Sequence, residues 1–143
     1  MRKAGLILMV VSLVSVLFGC AKAQQQQWSS LTYHVTSSVH TEGCHFTVCR
    51  IEKGMTISGF CFDGEKEYRI DEAKSISRET ATYIDGLELK KEKASIGKIC
   101  NVADGVQVTV KLCYPDGSED RISLDTAVRK QLLQRLKREL IGK

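Results

Sequence analysis

Short runs of alternating apolar and polar residues, each closed by a turn signal, fill most of the chain after Leu31. This alternation matches the two-residue period of a β-strand, in which successive side chains point to opposite faces. The pattern predicts strands or strand pairs over 31–39, 45–51, 55–62, 65–70, 83–89 and 96–114. The stretch 71–80 has no strong period, so we predict a long connection there with no more than one helical turn.

Two of the predicted turns also set the pairing of their strands. Glu52-Lys53-Gly54 fits a three-residue hairpin loop, and that register puts Cys49 on the same face as Met55 and Cys61. Pro115-Asp116-Gly117 fits another three-residue loop, with proline where φ is preset and glycine where φ is positive. The second loop predicts three cross-strand pairs: Val108 with Leu124, Val110 with Ile122, and Leu112 with Asp120.

An amphipathic helix is predicted over 126–141, with Asp125 at its N-cap and Gly142 as its C-terminal stop. Leucines spaced by four form its apolar stripe, and basic residues cover its other sides. Together these elements predict a mainly β fold, an antiparallel hairpin meander of about eight strands with one C-terminal amphipathic helix. Such a meander either closes into a barrel or forms a strongly twisted sheet, and the pattern leaves both open.

Residues 1–23 have the organisation of a secretory signal peptide. A positive start, Arg2 and Lys3, precedes an apolar run that is too short for a membrane span, which needs about 20 residues. Ala21-Lys22-Ala23 is a small-x-small cleavage site, so cleavage is expected before Gln24. We therefore predict an exported protein, periplasmic or secreted, with a flexible polar lead-in at 24–30 and one β-rich domain at 31–143.

A second processing route competes at the same leader. Leu17-Phe18-Gly19-Cys20 resembles the lipoprotein box of bacterial lipoproteins, in which the cysteine is lipidated and becomes the new N-terminus. Leu17, Gly19 and Cys20 match that pattern, whereas Phe18 stands where a small residue is usual. The resemblance implies a lipid anchor on Cys20, which is the only membrane attachment that we predict.

The formal net charge of +4 belongs mostly to the leader. Three of the 21 basic residues lie within 1–23, which leaves 18 basic and 17 acidic residues in the mature chain. So small an excess of basic residues gives no reason to expect a nucleic-acid partner. The basic residues of 126–143 are typical of the outer face of a helix that docks on its own domain.

Five cysteines remain after the leader: Cys44, Cys49, Cys61, Cys100 and Cys113. In an oxidising compartment the first expectation is disulfides, and an odd number allows no more than two bridges within the chain. One interpretation is that the bridges join distant strands and stabilise the core. The other is a Cys44–Cys49 bridge that stiffens the adjoining loop for recognition of a partner.

The three histidines, His34, His40 and His45, fall within 12 residues and lie beside Cys44. Imidazole and thiolate suit zinc or copper, so the cluster is a candidate metal site, with surface histidines and ordinary disulfides as the alternative. Adjacent residues on a strand point to opposite faces, so Cys44 and His45 do not make a catalytic dyad. Without a nucleophile elbow or a Gly-rich phosphate loop, we predict no enzyme and no cofactor.

These observations favour a small exported binding protein that recognises another extracellular or periplasmic protein, an inhibitor of a hydrolase being one form of it. Its predicted binding residues lie in and beside the first hairpin loop: Thr41, Glu42, Gly43 and His45. Two alternatives stay open. One is a β-barrel that carries a small apolar ligand, and the other is a metal-binding protein that uses the histidine and cysteine cluster.

Overall fold

The computed structural model describes residues 27–92 and 105–142. Seven strands are present there: β1 (Ser30–Ser37), β2 (Cys44–Ile51), β3 (Gly54–Asp63), β4 (Lys66–Ser75), β5 (Lys90–Lys91), β6 (Val106–Cys113) and β7 (Glu119–Ser123). Helix α1 (Arg78–Asp85) follows β4, and helix α2 (Thr126–Ile141) follows β7. The predicted leader, Cys20, Cys100 and the predicted strand near 96–102 lie outside the described residues.

The strands form one antiparallel sheet in the order β4-β3-β2-β1-β6-β7-β5. The prediction of a mainly β fold with a C-terminal helix is confirmed. The sheet is open, with β4 and β5 at its edges, so the closed-barrel alternative is wrong for the part of the chain that the structure describes. No helix in these ranges is long and apolar enough to cross a membrane.

One face of the sheet carries the hydrophobic core. Side chains in β1, β2 and β3 alternate between buried and half-buried, as the two-residue period of a strand requires. Tyr33 and Phe46 meet edge-to-face with ring centroids 6.4 Å apart. Leu132, Leu136 and Leu140 of α2 are buried in the same cluster. Each such side chain contributes roughly 1.5–3 kcal/mol when it leaves water, so the apolar stripe of α2 fixes the helix on this face.

The hairpin between β6 and β7 has the predicted register. Leu112 pairs with Asp120 and Cys113 with Glu119, and the N–H of Tyr114 donates to the carbonyl of Ser118 across the three-residue loop. The loop therefore directs this pairing through its own backbone geometry.

The hairpin between β2 and β3 differs from its prediction by one residue. Gly54 is not a loop residue but the first residue of β3, where it pairs with Ile51 at φ +111°. The turn therefore holds two residues, and a shift of one residue exchanges the faces of a strand. Val48 lies opposite Ile57 on the core face, and Cys49 points to the other side with Thr56.

The predictions for 71–89 are also wrong. β4 continues to Ser75, and the predicted hairpin at 83–89 is instead helix α1 followed by a turn. Ser77 caps this helix, because its Oγ accepts a hydrogen bond from the N–H of Thr80. Thr80 and Ile84, four residues apart, are the buried residues of α1, so tertiary packing stabilises a helix whose two threonines do not favour one.

Helix α2 has the predicted bounds. Asp125 occupies the N-cap position but makes no side-chain capping bond, whereas Gly142 takes the left-handed conformation at φ +78° and its N–H donates to Arg138 O. The hydroxyl of Tyr33 donates to the carbonyl of Arg129 at 3.3 Å, which ties the first strand to the start of the helix.

Candidate functional site

The face of the sheet opposite the helices is polar along β1, β6 and β7, and at its β3 side Phe60 lies opposite His45. Its central side chains come from β1, β2, β6 and β7, and we call them the polar face: Thr32, His34, Thr36, His45, Thr47, Thr109, Lys111 and Arg121. Within 27–92 and 105–142, both helices pack on the core side. The β1–β2 connection lies at one end of this face, where the ring of His40 meets that of Phe62 edge-to-face.

Two imidazoles meet at the centre of the polar face. His34 and His45 are direct partners in the β1–β2 register. Their Nδ1 atoms are 3.2 Å apart, and the ring planes meet at 67°. The Nε2 atom of each ring is hydrogen-bonded to the hydroxyl of a threonine two residues further along the same strand. The distance from His34 Nε2 to Thr36 Oγ1 is 3.0 Å, and that from His45 Nε2 to Thr47 Oγ1 is 3.3 Å.

The surroundings of His45 favour its neutral form. Burial lowers the pKa of His45 from its ordinary 6.5, and the neighbouring His34 lowers it further. His45 is therefore uncharged at neutral pH, and its contact with His34 is a hydrogen bond between two ring nitrogens rather than a contact between two cations.

A shallow groove of about 420 Å³ runs beside the histidines along β1, β6 and β7. Lys111 and Arg121 face each other across the β6–β7 pair and give it positive charge. Lys111 Nζ lies 3.5 Å from Glu119 Oε2, whereas Arg121 forms an ion pair with no described residue. The groove therefore presents hydroxyls, imidazoles and a guanidinium that has no ion-pair partner among the described residues, a combination that suits a carboxylate or another oxyanion.

The predicted loop residues lie at one end of this face. Thr41 and Glu42 belong to a single 3-10 turn, His40–Glu42, and Gly43 leads from it into β2. The hydroxyl of Ser37 donates to Glu42 Oε2 at 2.8 Å, which holds the turn against the end of β1. His45, predicted in the strand beside this loop, lies in β2 and points onto the polar face.

The three-histidine metal site is wrong in part. His34 and His45 come together, whereas the ring of His40 lies 5.0 Å from that of Phe62 at the end of the sheet. In the described ranges no group of three or more histidine, cysteine, aspartate or glutamate side chains is placed to hold a metal ion. The chain turns between β1 and β2 at His40, so its side chain cannot follow the strand alternation that aligns the other two histidines.

The cysteines divide between the two faces of the sheet. Cys44 and Cys61 are buried on the core side, and burial raises the pKa of Cys44 to about 11. Cys49 and Cys113 are half-buried on the other side. All four are free thiols in the structure, so the predicted disulfides stay a prediction.

A Cys44–Cys49 bridge is excluded. Both residues belong to β2, and five residues of extended strand span roughly 16 Å. A disulfide needs Cα atoms within about 7 Å. This proposed stiffening of the first loop is therefore wrong, because the predicted strand began one residue too late and left Cys44 in the loop.

A second concave region lies on the helix side and was missed from the sequence. This Trp28 groove, about 430 Å³ in volume, is lined mainly by Trp28, Ile84, Leu87, Leu89, Leu112 and Ile122. Trp28 falls in the predicted flexible lead-in, yet it is only 7% exposed. The guanidinium of Arg50 stacks 3.9 Å from the centre of its ring and also contacts Asp85 at 2.6 Å. A lone tryptophan beside the first strand was the signal for this site.

Comparison with known proteins gives no family: no family model, no curated protein and no solved structure matches this chain. The functional argument therefore starts from the polar face and the Trp28 groove.

Proposed function

We propose that this is a non-enzymatic exported binding protein, and that its polar face binds an acidic segment of another protein. The observation that carries the proposal is the uncovered sheet face. The core side is occupied by α1 and α2, whereas the polar face offers half-buried hydroxyls, two imidazoles and two cations without a covering element among the described residues.

Charge complementarity selects the acidic partner. Arg121 has five N–H donors in a planar fork that matches a carboxylate, and no described acid neutralises it. Lys111, on the neighbouring strand, is only loosely paired with Glu119 at 3.5 Å. Threonine hydroxyls of β1 and β6 line the same groove and donate or accept as a peptide requires.

The neighbouring loop favours a protein over a small anion. Val39 is 50% exposed and lies next to the predicted binding residues Thr41 and Glu42. Val106 is also exposed and pairs with Ser37 at the same end of the sheet. An apolar patch beside a cationic groove resembles the mixture of apolar and charged contacts at protein interfaces.

The proposal is tested by NMR titration with an oligoglutamate peptide and a length-matched oligoglutamine peptide. We expect amide shifts on β1, β6 and β7 with oligoglutamate only, and their loss in the double variant K111Q/R121Q. The matched control is K130Q/R138Q, which removes the same charge from the exposed side of α2. Binding that persists in the first variant, or disappears in the second, contradicts the proposal.

The Trp28 groove supports a second candidate function, the binding of a small apolar ligand. Its volume lies within the range of about 300–1,000 Å³ typical of ligand sites, and apolar side chains such as Trp28 and Leu87 share its wall with polar groups such as Asp85. Trp28 is the single tryptophan of the chain, so its fluorescence reports directly on the groove. We expect dodecanoate to change that fluorescence and Leu87→Gln to weaken the effect. An unchanged spectrum at saturating dodecanoate removes this candidate.

A further inference from the structure

We infer that His34 and His45 together bind one divalent transition-metal ion through their Nδ1 atoms. The inference concerns the two histidines alone and does not depend on the acidic partner proposed above.

The separation of the two nitrogens fits a shared metal ion. Zinc binds imidazole nitrogen at about 2.0–2.1 Å in tetrahedral geometry, which places two such nitrogens about 3.3 Å apart. The observed distance between the Nδ1 atoms of His34 and His45 is 3.2 Å. A shared ion therefore needs no change in the separation of the two nitrogens, and the rings rotate so that both Nδ1 lone pairs point at it.

The threonines supply the outer contacts that metal-binding histidines require. A ligating imidazole donates its other ring N–H to a polar group, which fixes the tautomer and the ring orientation. Thr36 Oγ1 and Thr47 Oγ1 are placed to accept such bonds from the Nε2 atoms of His34 and His45, at 3.0 and 3.3 Å. Both rings would then carry their proton on Nε2 and leave their Nδ1 lone pairs for the ion.

Metal binding needs no reactant other than the ion and water, because the proton on Nδ1 can be replaced by one on Nε2. With two neutral rings and no metal, one Nδ1 carries the proton that forms the N–H···N bond between them. On metal binding this proton leaves Nδ1 and water returns one to Nε2 of the same ring, where the threonine hydroxyl becomes the acceptor. No net proton is released, and two nitrogen–metal bonds replace one hydrogen bond.

The fold limits the site to two protein ligands. The β1–β2 pairing is internal to the sheet, with β3 on one side and β6 on the other, so the facing residues are held in register. Because no third histidine, cysteine, aspartate or glutamate joins them in the described ranges, water completes the coordination. Imidazole suits Zn²⁺, Cu²⁺ and Ni²⁺, and the open positions imply a moderate affinity and ready exchange.

The test is Zn²⁺ titration of the purified protein by calorimetry, together with ¹⁵N NMR of its imidazoles. We expect one Zn²⁺ per chain and large ¹⁵N shifts at the Nδ1 atoms of His34 and His45, with the His40 ring unchanged. His34→Gln and His45→Gln should each abolish measurable binding, because glutamine retains a polar contact to the threonine and removes Nδ1. Thr36→Val should weaken binding by about tenfold or more.

His40→Ala is the matched control, since it removes the third imidazole of the chain and should leave Zn²⁺ binding unchanged. Circular dichroism and urea unfolding establish that each variant is folded. Zn²⁺ binding that survives in the folded double variant H34Q/H45Q, or that requires His40, overturns the inference. If Cys49→Ser or Cys113→Ser lost Zn²⁺ binding while the histidine variants kept it, the ion would be bound by thiols. That result would also overturn the inference.

Discussion

Glu139, near the end of α2, accepts a hydrogen bond of 2.6 Å from the hydroxyl of Thr80 in α1. Thr80 is only 4% exposed and is the buried polar residue of the described core. The same carboxylate also accepts from the hydroxyl and the backbone N–H of Ser77, the residue that caps α1. One acidic side chain therefore joins the two helices and organises the start of α1.

This junction predicts a loss of stability in acid. Burial acts to raise the pKa of Glu139, but the hydrogen bonds from Ser77 and Thr80 outweigh it, so the pKa lies below its ordinary 4.5. A lowered pKa contributes stability that is complete above the unfolded value of 4.5 and is lost as the pH falls through the folded value. We expect Glu139→Gln to cost about 1–3 kcal/mol at pH 7 and to reduce the acid dependence of urea unfolding.

The matched control is Glu72→Gln, on an exposed position of β4. It should leave both the stability at pH 7 and its acid dependence close to those of the parent protein. An equal acid dependence in Glu139→Gln and in the parent would show that another carboxylate is responsible.

Leu136 should be a major contributor to the docking of α2, because it is fully buried against the sheet. Leu136→Ala removes apolar contacts and leaves a cavity, at an expected cost of about 2–5 kcal/mol in the free energy of unfolding. Gln134→Ala, on the exposed side of the same helix, should change it by about 0.5 kcal/mol or less. Similar urea midpoints for the two variants would contradict the position of the helix.

Gly59 is required by the close approach of β2 and β3. A Cβ atom on this residue would lie 1.9 Å from the carbonyl oxygen of His45, and its φ is +131°. Gly59→Ala should therefore cost about 3 kcal/mol or more, since it combines steric overlap with backbone strain. Gly54 has a similar φ of +111°, but a Cβ atom on it would meet no atom within 4 Å. Comparing the thermal unfolding of Gly59→Ala and Gly54→Ala therefore separates the cost of the clash from that of the backbone strain.

The thiols should react in an order set by their burial. Burial raises the pKa of Cys44 to about 11 and also raises that of Cys61, so both remain protonated at pH 8. We expect iodoacetamide to modify Cys49 and Cys113 first in the native protein, with mass spectrometry of peptides as the measurement. Resistance of Cys44 and Cys61 after unfolding without reductant would instead reveal a disulfide between them.

The polar face was only partly predictable. Strand alternation gives the faces of β1, so Thr32, His34 and Thr36 follow from the sequence once the strand is placed. The pairing of His34 with His45 depends on the β1–β2 register, which the irregular connection through His40 does not encode in any turn motif. Lys111 joins the same face only because β6 pairs with β1, about 80 residues earlier in the chain.

The error in the β2–β3 hairpin has a similar cause. Gly54 is compatible with a three-residue loop and with the first position of a strand, because both accept a positive φ. Burial of Val48, Met55 and Ile57 on the core side selects the second arrangement. Local turn chemistry therefore left two registers open, and the hydrophobic core chose between them.

What the sequence determined by itself is local: the alternating strands, the loop and register of β6–β7, and the bounds and buried stripe of α2. Each depends on interactions within one element or across one tight turn, which neighbouring residues encode directly. The tertiary structure alone decided the open sheet, the insertion of β1 between β2 and β6, the helix α1 and the meeting of two of the three histidines. These features depend on contacts between distant segments, whose free energy comes from burying a shared core and cannot be assigned to any one stretch of the chain.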